Sequence, residues 1–180
     1  EIDFIGDRKI LIQGKENLKG TSHHVIPDRI EAGTYMIAGA LIGNNLKIQN
    51  IELDHMQNIL NVFEELEIDF KLNKDSVSLS KSDIEVGVNL QTKEYPGFPT
   101  DLQAQIMVLL SKSNKQSSII ENIFENRFMH VPELNRMGTQ ISIEGNKSII
   151  SPSSELIGAP VMATDLRASV SLVLARLISK

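Results

Sequence analysis

The sequence predicts an α/β protein with apolar helices inside and sheets outside, built from a repeated β-α-β-α-β-β unit in a pseudo-three-fold arrangement. Three observations carry this expectation. First, an acid stands where a loop becomes a charge-poor helix at three places: Asp28 before residues 32–46, Asp101 before 102–111, and Asp165 before a run interrupted only by Arg167 and Arg176. Second, alternating apolar pairs flank turn residues near positions 2, 68 and 141, the pattern of three hairpins. Third, the hairpin and helix starts interleave, so the unit recurs with a period of roughly 65 to 75 residues.

The elements follow in order. Ile2 to Phe4 and Ile10 to Ile12 form the first hairpin around Gly6 and Asp7, and His24 to Ile26 is a short strand. The helix after Pro27 has the capping-box spacing of Asp28 and Glu31. A strand at 46–51 leads to an amphipathic helix at 53–67, with Met56, Ile59, Leu60, Phe63 and Leu66 on one face and Asp54, Asn58, Glu64 and Glu65 on the other. The second hairpin pairs 68–72 with 77–79 around 73–75.

The second unit repeats the order. It comprises a strand at 86–90, a helix at 102–111 with the Thr100/Gln103 capping spacing, and a strand at 118–123. A weaker amphipathic helix follows at 125–137, stopped by Gly138, and a hairpin joins 141–143 to 149–150 around Gly145 and Asn146. A last strand at 159–162 precedes the third helix, capped by Thr164 or Asp165. Helices apolar or small all round cannot lie on a surface, so all three are expected in the interior, packed on one another through Gly33, Gly39, Ala104, Ala168 and their neighbours. Their N-termini enter from equivalent ends and converge on one face, suited to an anionic, hydroxyl-rich ligand.

The 180 residues suffice for one domain with a real core. A formal net charge of −5 and no dense Lys/Arg cluster argue against nucleic acid as a partner. The absence of cysteine removes disulfides, thiolate metal sites and a cysteine nucleophile from this chain. None of the apolar runs is long enough to span a membrane, and the cytoplasm is the expected location. His23, His24, His55 and His130 show no convincing metal spacing, so no metal is expected, and the six methionines read as core fillers. Starting on a strand pattern and stopping within a helical one, the sequence reads as a piece of something larger.

Four stretches carry a family resemblance: Val25-Ile-Pro-Asp-Arg-Ile-Glu-Ala-Gly-Thr-Tyr35, Tyr95-Pro-Gly-Phe-Pro-Thr-Asp-Leu-Gln-Ala-Gln105, Phe124-Glu-Asn-Arg-Phe-Met-His-Val-Pro-Glu-Leu-Asn-Arg-Met-Gly138, and Ala163-Thr-Asp-Leu-Arg-Ala-Ser169. In this order they resemble the enolpyruvyl transferases, specifically the UDP-N-acetylglucosamine 1-carboxyvinyltransferases of peptidoglycan synthesis. The shikimate-pathway enolpyruvyl transferases share the repeat but not the Glu125 to Leu134 string, and are the alternative within the family. A non-catalytic sugar-nucleotide-binding or interaction module is the alternative outside it.

The resemblance implies two similar domains of six units in all, with UDP-N-acetylglucosamine and phosphoenolpyruvate bound between them. No cofactor is implied. Residues 1–180 then form most of one domain, with repeat units at 14–80 and 81–151 and partial units at 1–13 and 152–180. The other domain would be the partner. It would carry a Lys-Asn pair and a mobile loop with a proton-donating Cys, and a further Arg for phosphoenolpyruvate would follow downstream.

The resemblance also assigns residues. Asp101 corresponds to the carboxylate beside the sugar 3-hydroxyl, as general base or orienting group; read without the resemblance it is first of all a helix cap, as most acids at such positions are. Ile123 falls where the family binds the nucleotide through its main chain, its side chain being expected in the core. Arg127 is turned to the cleft on the family reading, or to a surface ion pair with Glu125 or Glu133 otherwise. Asp165 and Arg167 correspond to an acid and an arginine facing phosphoenolpyruvate, and either could instead be structural. Asp28 and Arg29 read as capping or interdomain residues. The fragment alone is expected to be inactive.

Overall fold

A computed structural model describes residues 2–6, 9–153, 155–163 and 165–180. Two expectations fall on the remaining positions: Asp7 in the first turn and Thr164 as a cap lie outside the described residues. Among the described residues nine strands form three sheets, numbered β1 (Ile2–Phe4), β2 (Ile10–Ile12), β3 (Leu46–Gln49), β4 (Phe70–Asn73), β5 (Ser76–Leu79), β6 (Asn89–Gln91), β7 (Ser117–Ile120), β8 (Gln140–Glu144) and β9 (Lys147–Ser151). The α-helices are α1 (Arg29–Ile42), α2 (Leu53–Glu65), α3 (Gln103–Leu110), α4 (Val131–Arg136) and α5 (Leu166–Leu177), and a single 3-10 turn at Thr100–Leu102 precedes α3.

The repeat is visible in the strand order. One sheet runs β3-β5-β4 and another β6-β7-β9-β8, so β3, β4 and β5 correspond to β7, β8 and β9. The hairpins β4/β5 and β8/β9 are antiparallel, while β6 and β7 pair in parallel across the connection that contains α3. No described strand takes the place beside β3 that β6 takes beside β7. His24 to Ile26, expected there, are irregular: Val25 is 78% and Ile26 65% exposed, and without a partner a three-residue extended segment has nowhere to place its backbone hydrogen bonds. Residues 159–162 are likewise irregular, and the strand expected at 86–90 forms at Asn89–Gln91, where it meets Ser118, Ile119 and Ile120.

Helix α3 is the centre of the core. All eight of its residues are buried, including Gln103 and Gln105, and α1 and α5 pack on either side of it. At roughly 1.5–3 kcal/mol for each large apolar side chain removed from water, Ile106, Met107, Val108, Leu109 and Leu110 make α3 a substantial contributor to the hydrophobic driving force. Two glycines of α1 permit close approach: a Cβ on Gly33 would stand 2.6 Å from Leu102, and one on Gly39 would meet Leu46 and Leu79 at 3.0 Å. Substituents there would push the helix off its neighbours.

The expectation that all three apolar helices are enclosed needs correction. α5 buries Ala168, Ser171, Leu172, Leu174 and Ala175 but exposes Leu166, Val173 and Leu177, and α1 exposes Tyr35 and Ile42. A groove of about 710 Å³ separates α1 from α5, and nothing in the described residues fills it. The first hairpin also forms, yet Ile2, Phe4, Ile10 and Ile12 are all about half exposed or more, because no other element among the described residues packs substantially on it.

The amphipathic helices divide. In α2 the predicted apolar face is buried and Asp54, Glu64 and Glu65 face solvent, while Asn58 is half-buried because its amide donates to the carbonyl oxygens of Pro96 and Gly97. The helix expected at 125–137 shrinks to α4. Asn126 has φ of 55°, which no right-handed helix accepts, and Pro132, lacking an N–H, is accommodated in the first turn. Gly138, at φ 99°, ends the helix as its composition suggested. Met129 and Met162 are exposed rather than in the core, since each sits on an irregular segment.

Candidate functional site

The three acids at the helix starts behave differently. Asp28 caps α1, accepting from the N–H groups of Ile30 at 2.7 Å and Glu31 at 3.3 Å. Asp165 caps α5, accepting from Arg167 N–H at 2.8 Å and Ala168 N–H at 2.9 Å. Asp101 caps nothing. It lies within the 3-10 turn, one residue inside the helical stretch, so its carboxylate is directed away from the first-turn amides. The Thr100/Gln103 capping box does not form: the Thr100 hydroxyl donates to Glu121 Oε2 at 2.9 Å, and Gln103 Nε2 is buried without a partner.

Freed from capping, Asp101 meets two arginines. Arg127 Nη2 donates to Asp101 Oδ1 at 3.1 Å, and Arg167 Nε lies 2.6 Å from the same oxygen. The second contact is an ion pair without hydrogen-bond alignment, since the Arg167 Nε–H finds no acceptor in its own direction. Arg127 therefore pairs across the site and not with Glu125 or Glu133; Glu133 instead holds Arg136 and the Met162 N–H. The Arg127 guanidinium also lies 4.8 Å from the centre of the Phe124 ring, a cation–π contact that helps hold its plane. All three charged side chains are partly open to solvent, between 23% and 37%.

Asp165 and His130 stand behind this cluster. The Ala168 N–H, ahead of that of Arg167 and the charge of Arg127, holds the Asp165 carboxyl below the usual carboxylate range against a smaller opposing effect of burial. His130, 2% exposed at the start of α4, is pushed down to about 4 by burial, with Arg127 acting in the same direction and Asp165 against it. It is thus a neutral imidazole at pH 7, with Nε2 buried and unpaired. Arg29, beside the cap of α1, lies 5.2 Å from the Tyr95 ring centre, which ties α1 to the loop before the 3-10 turn.

Ile123 is placed by its backbone. Its N–H donates to Glu121 Oε1 at 2.9 Å, and its side chain is half-buried instead of joining the core. The Phe124 N–H and the Thr92 hydroxyl reach the same Oε1, at 3.2 and 2.9 Å. Glu121 was not anticipated as a site residue. Its signal was an acid directly after the apolar pair Ile119-Ile120 of a buried strand, where a charged group persists only if partners satisfy it.

The site thus draws together the starts of α3 and α5 and the turn after β7. Asp101, Arg127 and Arg167 are in contact; Asp165 stands two residues before Arg167, and the charges of Asp165 and Arg127 act on the buried His130. Ile123 enters through the Glu121 network, whereas Asp28 belongs to the cap of α1. Asp101 and Arg167 line the α1–α5 groove with Asp28, Glu31, Thr34, Tyr35 and Gln105, while Arg127 lines a separate cavity with Glu121 and Phe124. Two guanidinium groups held beside a carboxylate can bind an anion and orient a hydroxyl group. No group of three or more His, Asp or Glu among the described residues has the geometry of a metal site.

The strand order and the charged cluster define an α/β protein of repeated units whose helix starts meet at one point. The chain belongs to the EPSP synthase (3-phosphoshikimate 1-carboxyvinyltransferase) family, whose model matches residues 1–180. Within it, the chain is similar to the UDP-N-acetylglucosamine 1-carboxyvinyltransferases of Pelagibacter ubique (strain HTCC1062), 50% identical over 99% of this chain and 43% of the relative, and Granulibacter bethesdensis (strain ATCC BAA-1260 / CGDNIH1), 46% identical over 100% and 43%. The chain spans less than half the length of these relatives. Among solved structures, the enolpyruvyl transferase NikO from Streptomyces tendae superposes with a TM-score of 0.78 at 24% identity, over 86% of this chain and 37% of that one. An EPSP synthase from Acinetobacter baumannii gives 0.66 at 14% identity, over 88% and 38%. At those identities the likeness concerns the fold alone.

Proposed function

We propose that this chain forms one wall of the cleft of a UDP-N-acetylglucosamine enolpyruvyl transferase acting in peptidoglycan synthesis in the cytoplasm. The observation that carries the reading is the contact of Asp101 with both Arg127 and Arg167, which joins three separate segments at one point. Together with the similarity to relatives of that printed name over the whole chain, it favours a reacting centre over a set of helix caps. The two repeat units at 14–80 and 81–151, with partial units at 1–13 and 152–180, are part of an inside-out, pseudo-three-fold domain. The open side of α1 and α5 is then covered by the rest of that domain, and a second domain supplies the facing wall.

In this reading Asp101 receives or orients the proton of the sugar 3-hydroxyl as its oxygen bonds to C2 of phosphoenolpyruvate. C3 of phosphoenolpyruvate takes a proton from a donor outside residues 1–180, and loss of phosphate from the resulting ketal, with a proton from C3, gives the enolpyruvyl product. Arg127 and Arg167, paired with Asp101 in the free chain, turn to the anionic second substrate when it enters, with Asp165 holding the start of α5 in place. Ile123 contacts the nucleotide through its main chain. No cofactor takes part.

The test is phosphate release with both substrates in the full-length protein, beside titration calorimetry with UDP-N-acetylglucosamine. Asp101→Asn is expected to lower turnover by roughly 10²–10⁴-fold while nucleotide affinity changes far less. Residues 1–180 alone are expected to turn over nothing and to bind the nucleotide weakly, because an interdomain ligand then keeps the contacts of one wall only. Near-normal turnover by Asp101→Asn, or turnover by residues 1–180 alone, overturns the reading.

A further inference from the structure

We infer that Glu121 is a positioning residue that locks the Asp101 turn to the Ile123 turn and so sets the geometry of the reacting centre; this rests on the functional reading above. Glu121 is 3% exposed and lies at the end of β7. A buried carboxylate of this kind ordinarily faces a cation. Glu121 is met instead by four neutral donors. Thr92 Oγ1 and the backbone N–H groups of Ile123 and Phe124 donate to Oε1, and Thr100 Oγ1 donates to Oε2.

Each donor belongs to a segment that carries something. Thr100 immediately precedes Asp101 in the 3-10 turn, and its bond to Glu121 replaces the helix cap its spacing suggested. Ile123 and Phe124 begin the turn that delivers Arg127, whose guanidinium rests over the Phe124 ring. Thr92 follows β6, and its hydroxyl also accepts from the Asn122 N–H at 2.9 Å. The backbone of Glu121 is fixed as well: its N–H donates to Asn146 O at 2.8 Å and its carbonyl accepts from Asn146 Nδ2 at 3.2 Å, so the side chain starts from a rigid base in the sheet.

The consequence is geometric. Asp101 and Arg127 come from segments connected directly by their own ion pair and, behind it, by the Glu121 bridge. The ion pair is partly open to solvent and must break when substrate enters, so it cannot hold the two turns at that moment; the buried bridge can. A misplacement of about 1 Å in a reacting group can cost roughly 10²-fold in rate, so a bridge one side chain away from Asp101 bears on turnover.

The experiment uses the full-length protein and four variants: Glu121→Gln, Glu121→Asp, Glu121→Ala and Thr100→Val. Gln keeps an oxygen for the donors at Oε1, and its NH₂ can donate to a rotated Thr100 hydroxyl, so it is expected to retain turnover within about threefold. Asp is one methylene too short to reach both sets of donors and is expected to lower kcat roughly 10–100-fold, with Ala similar. Thr100→Val removes only the Oε2 bond and keeps the side-chain shape. It is expected to lower kcat roughly tenfold while leaving the KM for the nucleotide near its wild-type value.

Amide hydrogen exchange supplies a reading independent of activity. In Glu121→Ala and Glu121→Asp the Ile123 and Phe124 amides are expected to lose protection while those of α3 keep it; in Thr100→Val they stay protected although kcat falls. A purely structural role predicts the opposite pattern, with lowered thermal stability but unchanged kcat per folded molecule, and that outcome overturns the inference. Unaltered protection of both amides in Glu121→Ala overturns it too, whether or not the protein transfers enolpyruvyl groups. Loss of protection in a protein whose wild type releases no phosphate supports the bridge and overturns only the functional reading.

Discussion

Arg167 Nε lies 2.6 Å from Asp101 Oδ1, although the two residues stand at the starts of different helices. The contact exists because Asp101 sits in a 3-10 turn while Asp165 occupies the cap of α5. With the cap filled by its neighbour, Arg167 is free to cross to the start of α3. A double-mutant cycle of Asp101→Ala and Arg167→Gln, followed by urea denaturation, should give a coupling on the order of 0.5–1 kcal/mol, the value for a pair this open to solvent.

The caps can be separated from the site by amide exchange. Asp28→Ala should expose the Ile30 and Glu31 amides and Asp165→Ala those of Arg167 and Ala168, each with about 1 kcal/mol lost from global stability. Asp101→Ala should leave the Leu102 and Gln103 amides unchanged, because they are bonded to the backbone carbonyls of Pro99 and Thr100.

Leu109→Ala should destabilise the protein by roughly 2–5 kcal/mol in equilibrium denaturation, as for other enclosed leucines. Leu109 is fully buried in α3. The matching change Leu166→Ala, on the exposed side of α5, should cost under about 0.5 kcal/mol in residues 1–180.

Acid should weaken the fold through His130. Its folded value of about 4 lies below the ordinary 6.5, so between these the unfolded chain takes up a proton that the folded chain refuses. Stability is therefore complete above about pH 6.5 and falls as pH drops towards 4, by about 3 kcal/mol in total for this group. Asp165 acts later: its stabilisation, present above its ordinary 3.8, is lost as pH falls through its lowered folded value. Urea titrations between pH 7 and 4 should show a slope that His130→Gln removes.

Much of the repeat was legible because it depends on local pattern. The hairpins at β4/β5 and β8/β9 follow from alternation around Asp75 and Gly145, and α2 from the spacing of Met56, Ile59, Leu60 and Phe63. The site was legible only as a set of names. Asp101, Arg127 and Arg167 could be picked out by resemblance, yet whether Asp101 capped a helix or met the two arginines turned on one 3-10 turn that no residue pattern specifies. His24 to Ile26 and residues 125–130 were misread for a related reason: a strand needs a neighbour and a helix needs every φ negative, and the first depends on distant segments while the second yielded to Asn126.

What the sequence determined by itself was the alternation of elements, the burial of α3 and the acids at the helix starts, since each rests on residues within a few turns of one another. Tertiary structure alone decided which acid was left free. Asp101, placed inside the 3-10 turn, became the meeting point of two arginines, while Glu121, just after β7, holds the neighbouring Thr100 hydroxyl. A hydrogen bond between positions so far apart along the chain depends on how the sheet packs against the helices, and that packing sums the whole core.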